Sequence, residues 1–300
     1  VWVENVAVEL GLNPELSASV LPSIFAGTAA PPTDGINYAL GGSLSSDVNV
    51  GGPPLIGLQQ QIEAFSALAQ LGAPPSENAL HILLAGGNDY NEAILTASSA
   101  ADLAGLPDQV TDNIVGATSA LLSAGAKNIF VSNLPMLEVQ PFADSVDVFN
   151  PQGSSILAAL SSEHNLLLAQ KLTALESTLD PSEVTLTQFD LSSFVSQVVA
   201  DPAAFGLENA EDSCLIDFQI DNTFSGVCPN PDAFFFWDDV HPTAAGHALV
   251  AQAALDALAD SGPTAPAPGG GDPVGVPEPS GAVAVLALGG VLGLSTRKRV

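Results

Sequence analysis

The sequence predicts an α/β fold, a parallel sheet with helices packed on both of its faces. Short apolar runs closed by glycine or polar residues alternate with longer stretches of helical periodicity along residues 1–260. Strands separated by helices pair in parallel, because a helix is the usual crossover between parallel neighbours. In such sheets ligands sit at the carboxyl ends of the strands, so the residues just after each strand matter most for function.

In chain order, VWVENVAVELGL (1–12) is an amphipathic helical pattern with no start signal before it. We therefore expect a chain truncated at its N-terminus, with any signal peptide upstream of Val1. INYAL (36–40) is a short strand, and GLQQQIEAFSALAQLG (57–72) a helix that stops at Gly72. ALHILLAG (79–86) is a buried strand closed by glycines. Residues 108–124 form a helix starting near Asp108, and KNIFVSNLP (127–135) is another buried strand. A long helix covers 153–179, EVTLTQFD (183–190) is a strand, and Thr243–Ala259 is the last helix, ended by Gly262-Pro263.

The chain carries 33 acidic and 5 basic residues. Three of the basic residues are Arg297, Lys298 and Arg299, which leaves Lys127 and Lys171 for everything before them. Such a surface repels nucleic acid and anionic lipid, and suits a well-solvated extracellular protein. No acidic run has the spacing of a calcium loop. Cys214 and Cys228 lie outside any CxxC pattern, which argues against zinc. They read either as one disulfide in a loop of a secreted protein or as two free buried thiols. No metal and no organic cofactor is implied.

After residue 260 the composition changes. SGPTAPAPGGGDPVG (261–275) is a linker too rich in Pro, Gly and Ala to bury a core. Residues 276–300 follow: Val-Pro-Glu-Pro (276–279), an uncharged apolar run (281–296) and the terminal basic cluster. One reading is a simple membrane anchor, although the run falls short of the about 20 residues of a full span. The order of motif, run and charges resembles the PEP-CTERM sorting signal of Gram-negative bacteria. That resemblance implies export, transient membrane association through 281–296, processing by an exosortase-type enzyme, and a place at the cell surface or in the extracellular matrix.

Three segments carry chemistry. Gly41-Gly42-Ser43 follows the 36–40 strand, and its N–H groups can face an oxyanion. Gly86-Gly87-Asn88-Asp89-Tyr90 follows the 79–85 strand, where the glycines admit close backbone approach and the Asn88 amide can donate. Taken alone, each is equally an ordinary glycine turn. Phe236-Trp237-Asp238-Asp239-Val240-His241-Pro242-Thr243 precedes the last helix. A carboxylate three residues before a histidine folds back onto Nδ1, fixing the tautomer and stabilising the imidazolium. Asp238 has that spacing, with Asp239 as the alternative, and the aromatic run 234–237 would help exclude water. His81, His164 and His247 sit inside elements without a matched carboxylate and read as structural.

Together these segments resemble the SGNH, or GDSL-type, hydrolases, in the branch of esterases, thermolabile haemolysin-like lipases and autotransporter esterases. The likeness covers nearly all of 1–260 and includes VWVENVAVELGL, the SNLP of 132–135 and FGLENAEDSCL (205–215). It implies a three-layer α/β/α flavodoxin-like fold. It also implies Gly42 and Asn88 in the oxyanion hole and Asp238 with His241 as the acid–base pair. The family's nucleophile is a serine in a Gly-Asp-Ser-Leu-like turn after the first strand, and no Gly-Asp-Ser occurs in this sequence. Ser43, Ser145 and Ser213 match no nucleophile position. We expect that turn and its strand to be missing upstream of Val1, which leaves the two central neighbours of the strand with unpaired edges.

The function so implied is a secreted carboxylic-ester hydrolase acting on lipid, aryl or acetylated-glycan esters. The alternatives are an inactive surface or matrix binding protein of the same fold, and an O-acetyl-polysaccharide esterase.

Overall fold

The computed structural model describes residues 1–97, 99–218, 223–261 and 283–286. Strands β1 (Glu15–Leu16), β2 (Gly35–Asn37), β3 (Leu80–Leu83), β4 (Asn128–Ser132) and β5 (Thr185–Phe189) belong to one parallel sheet. The described helices are α1 (Trp2–Glu9), α2 (Ser17–Phe25), α3 (Leu58–Gln70), α4 (Gly87–Thr96), α5 (Leu106–Ser123), α6 (Pro141–Asp147), α7 (Gly153–Glu176), α8 (Leu191–Ala200) and α9 (Ala244–Asp260).

Side chains alternate across the pleat of β4 and divide the core in two. Ile129 and Val131 pack with Leu58 and Ile62 of α3, Ile114 and Leu121 of α5, and Leu157 and Leu168 of α7. Phe130 points the other way, to Trp2 and Val6 of α1, Val195 and Val198 of α8, and Val250 and Ala254 of α9. Phe130 is fully buried and stacks on Phe189 at a centroid distance of 5.3 Å. The result is the expected sheet between two helical layers.

Outside the main sheet, β6 (Asn209–Ser213) pairs with β9 (Phe234–Phe236), and β7 (Leu215–Ile216) forms a hairpin with β8 (Gly226–Val227). A Cys214–Cys228 disulfide closes that hairpin across a Cα–Cα distance of 4.8 Å.

The unpaired edges expected in the middle of the sheet are corrected by the structure. β10 (Val283–Leu286) lies between β2 and β3, parallel to both, with Ala284 opposite Ile36 on one side and His81 on the other. This part of the apolar run is a strand, and its pairing satisfies the backbone groups that β2 and β3 would otherwise leave open. The linker from 262 to 275 and the rest of the 276–300 segment lie outside the described residues. Among the described residues no helix is long and apolar enough to cross a membrane.

Candidate active site

Asp238 and His241 occupy the short connection from β9 to α9. Both ends of that connection are pinned: the Trp237 N–H donates to the His241 carbonyl at 2.7 Å, and the Thr243 N–H donates to the Phe235 carbonyl at 2.8 Å. Thr243 then caps α9, its Oγ1 accepting from the Gly246 N–H at 3.0 Å. Pro242 thus lies just ahead of the cap, bridged to Phe236.

Inside this frame the Asp238 carboxylate accepts the backbone N–H of Val240 at 2.9 Å and of His241 at 2.7 Å. Its Oδ2 lies 2.8 Å from His241 Nδ1. An ionised carboxylate only accepts, so Nδ1 carries the hydrogen and the basic lone pair of the ring is on Nε2. Burial works to raise the Asp238 carboxyl. The hydrogen bond and charge of His241, with the two backbone N–H groups, outweigh it and hold the group below its ordinary value.

Asp239 points elsewhere. Its carboxylate accepts from Ser145 Oγ at 2.9 Å and Ser213 Oγ at 3.3 Å, and its carbonyl accepts the Phe142 N–H at 2.9 Å. Burial, against those two hydroxyl bonds, raises its pKa. Asp238 is therefore the partner of His241, and Asp239 ties α6 and β6 to the loop. Ser43 is equally engaged, its one hydroxyl hydrogen shared between the Leu40 and Ile56 carbonyls and its oxygen accepting from Gln61 Nε2 at 2.8 Å. All three serines considered from the sequence are held in structural bonds.

The two glycine turns stand at the carboxyl ends of β2 and β3, on either side of β10. Gly42 has φ +78°, and a side chain there would meet Asn49 Oδ1 and Val50 Cγ2 at 2.8 Å. Its carbonyl accepts the Val50 N–H, and among the described residues its own N–H has no partner. Gly86, with φ +111°, starts α4, and a Cβ there would meet the His164 ring at 2.9 Å. Asn88 in the first turn of α4 donates one amide hydrogen from Nδ2 to the Ser43 carbonyl at 3.0 Å. The amide has a second hydrogen to offer. Asn88 thereby spans the gap between the two turns.

His241 faces a cavity of about 130 Å³ that Gly87, Leu134, Pro135, Trp2, Phe235 and Phe236 also line. This joins the Asp238–His241 loop, the glycine turn after β3 and the SNLP segment around one space. Among the described residues no serine lines it. Phe235 and Phe236 are buried and keep the space apolar, whereas Trp237 is 37% exposed and turned away from that duty. His247 lines the cavity too. Burial lowers its pKa to about 4, and its Nδ1 accepts the Trp2 N–H at 3.3 Å. The other two histidines are buried and neutral: His81 at about 4 beside the Asn128 carbonyl, and His164 at about 3 on the Tyr90 hydroxyl.

Sequence reasoning missed the polar network behind the glycine turns. Ser45, Gln59, Gln61, Asp89 and Asn113 form it, and Gln61 is fully buried on the same stripe of α3 as Leu58, Ile62 and Phe65. A glutamine on an apolar stripe was the signal available. Among the described residues no cluster of His, Cys, Asp or Glu is arranged to hold a metal ion.

A doubly wound parallel sheet with an Asp–His pair and glycine turns at its carboxyl end has the layout of a hydrolase. The chain belongs to the GDSL-like lipase/acylhydrolase family, whose model matches residues 11–254. It is 28% identical over 269 residues to the "uncharacterized protein in trpE-trpG intergenic region" of Pseudomonas putida, covering 83% of this chain and 42% of that protein. A GDSL esterase/lipase of Arabidopsis thaliana is 22% identical over 67% of this chain and 59% of its own length. Another from the same plant, EXL2, is 24% identical over 84% and 73%. The chain thus spans 42% and 59% of the first two relatives.

Proposed function

We propose that this chain is the main part of an exported carboxylic-ester hydrolase that works through a serine, His241 and Asp238. The observation that carries the reading is the buried Asp238 carboxylate seated 2.8 Å from His241 Nδ1, which leaves Nε2 as the base beside an apolar cavity. The serine comes from a segment preceding Val1 whose strand belongs in the middle of the sheet, where β10 now lies. Its Oγ attacks the ester carbonyl carbon as His241 Nε2 takes the hydroxyl proton. The carbonyl oxygen becomes an oxyanion held by the Gly42 N–H and the Asn88 amide. His241 returns the proton to the alkoxide as the C–O bond breaks and the alcohol leaves. Water, deprotonated by His241, then frees the acid from the acyl-serine and restores the hydroxyl.

The tail supports an exported protein sorted to the cell surface or matrix, with an exosortase-type enzyme as its processing partner. The ester classes in view are lipid, aryl and acetylated-glycan. A second reading, a binding protein of the same fold, is favoured by the absence of any serine lining the cavity among the described residues. One experiment decides between them. The gene is read upstream of Val1, and the extended protein is assayed on short-chain aryl esters, phospholipids and acetylated glycans. Hydrolysis that disappears in His241→Ala supports the enzyme. An intact upstream frame with no Gly-Asp-Ser, or full activity in His241→Ala, overturns it.

A further inference from the structure

The two oxyanion donors of the proposed reaction belong to different elements. Gly42 is in the loop after β2, Asn88 is in the first turn of α4 after β3, and the β10 position separates the two strands. An oxyanion hole acts only if its donors are preset at the spacing the transition state needs. Something must fix the loop to the helix.

We propose that Asp89 is the positioning residue that does this, clasping the Gly42 loop to α4 through Ser45. The inference rests on the ester-hydrolase reading above. The Asp89 carboxylate takes the Ser45 N–H at 2.9 Å on Oδ2 and the Ser45 hydroxyl at 2.7 Å on Oδ1. Ser45 is fully buried, and its neighbours complete the joint. Asn113 of α5 donates to its hydroxyl at 2.9 Å, and Gln59 of α3 donates to its carbonyl at 2.8 Å. Adjacent side chains of α4 thus grip the loop at two points, Asn88 at the Ser43 carbonyl and Asp89 at Ser45.

The clasp is not an arrangement chosen for stability alone. Burial of Asp89 pushes its pKa up to about 6 against the Ser45 bonds that oppose it, so the folded protein carries an unfavourable carboxylate at neutral pH. None of Gly42, Ser45, Asn88 and Asp89 lines the cavity by His241; Ser45 and Asp89 act through the two donors because they bond the loop to the helix that carry them.

The test uses the enzyme extended to include its serine. Asp89→Asn keeps shape and size but replaces one acceptor oxygen by an amide donor, so one of the two Ser45 donors loses its acceptor. Its kcat should fall about 10- to 100-fold while KM stays within about 3-fold, because the hole is used only in the transition state. Ser45→Ala keeps the N–H bond and should lose less, and the double variant should fall no further than Asp89→Asn alone. If Asp89→Asn fails to fold, Ser45→Ala and its kcat decide. An active parent whose kcat survives both substitutions, or whose losses appear in KM, overturns the clasp and leaves the hydrolase standing. A parent without ester hydrolysis overturns the hydrolase reading instead, and the clasp with it.

Discussion

Asp238 reaches His241 across three residues of one loop, whereas Asn88 reaches Ser43 across 45 residues and Asp89 reaches Ser45 across 44. The acid–base pair is assembled by a turn and a helix cap: the bonds that seat Asp238, His241 and Thr243 lie within 234–246, while the Trp237 and Asp239 carbonyls anchor the loop to Leu215 and Phe142. The glycine cradle is assembled by the sheet, since its parts meet only after β2, β3, α3 and α5 have packed. The first region should tolerate removal of its functional side chains without unfolding. In the second, the proposed oxyanion donors are also packing contacts.

The largest expected effect separates the two most cleanly. In the serine-bearing enzyme, His241→Ala should lower kcat about 10⁴-fold or more. Its melting temperature should stay within a few degrees, because the ring is not what holds the loop. A drop in stability as large as the drop in rate would show the loop to be less self-sufficient than its backbone bonds indicate. Asn88→Ala comes next. Loss of one oxyanion donor costs about 10²–10³ in rate. Here it should also cost about 1–3 kcal/mol of stability, because the buried Ser43 carbonyl loses its donor. Steady-state kinetics and urea unfolding of the same variant measure both.

The difference in construction also explains what could be read in the sequence. The Asp-x-x-His spacing is local, so Asp238 and His241 were visible, and only the hydroxyls of Ser145 and Ser213 were needed to set Asp239 aside. Gly42 and Asn88 were visible as residues just after strands. The network joining them was not, because Ser45 meets Asn113 from 68 positions away and no local pattern records it. Several helices were equally hidden. α4 opens with Gly-Asn-Asp, which reads as a turn, and α8 (LSSFVSQVVA) is rich in β-branched residues that lack helical preference. Asp190 caps α8 by accepting the Ser193 N–H at 3.0 Å, a start signal that the following residues mask. The central strand position was anticipated as a gap, and the apolar composition of 283–286 is what suits it to be filled.

Asp239→Asn sharpens the boundary between the regions. Its side chain bonds Ser145 of α6 and Ser213 of β6 rather than His241, so the substitution should cost about 1–2 kcal/mol at most and change kcat by less than about 5-fold. A loss comparable to that of Asp238→Asn would mean the two carboxylates act together.

The smallest effect is the most specific, because the two regions each contain a buried aspartate with the opposite shift. The folded pKa of Asp89 lies at about 6, above its ordinary 3.8. Below pH 3.8 this group costs the folded state nothing, and stability then declines as pH rises from 3.8 through 6. Asp238 is held below its ordinary value. Its contribution is present above pH 3.8 and is lost as pH falls through its folded value. Melting temperatures of Asp89→Asn and Asp238→Asn, each minus that of the parent at the same pH, should therefore respond to pH with opposite sign and in different windows. The Asp89→Asn difference should become more favourable between pH 4 and 6.5. The Asp238→Asn deficit should be constant over that window and shrink only below pH 3.8. Parallel curves would mean that the His241 ring and the two N–H groups do not outweigh burial at Asp238. The dyad would then depend on its surroundings as much as the cradle does.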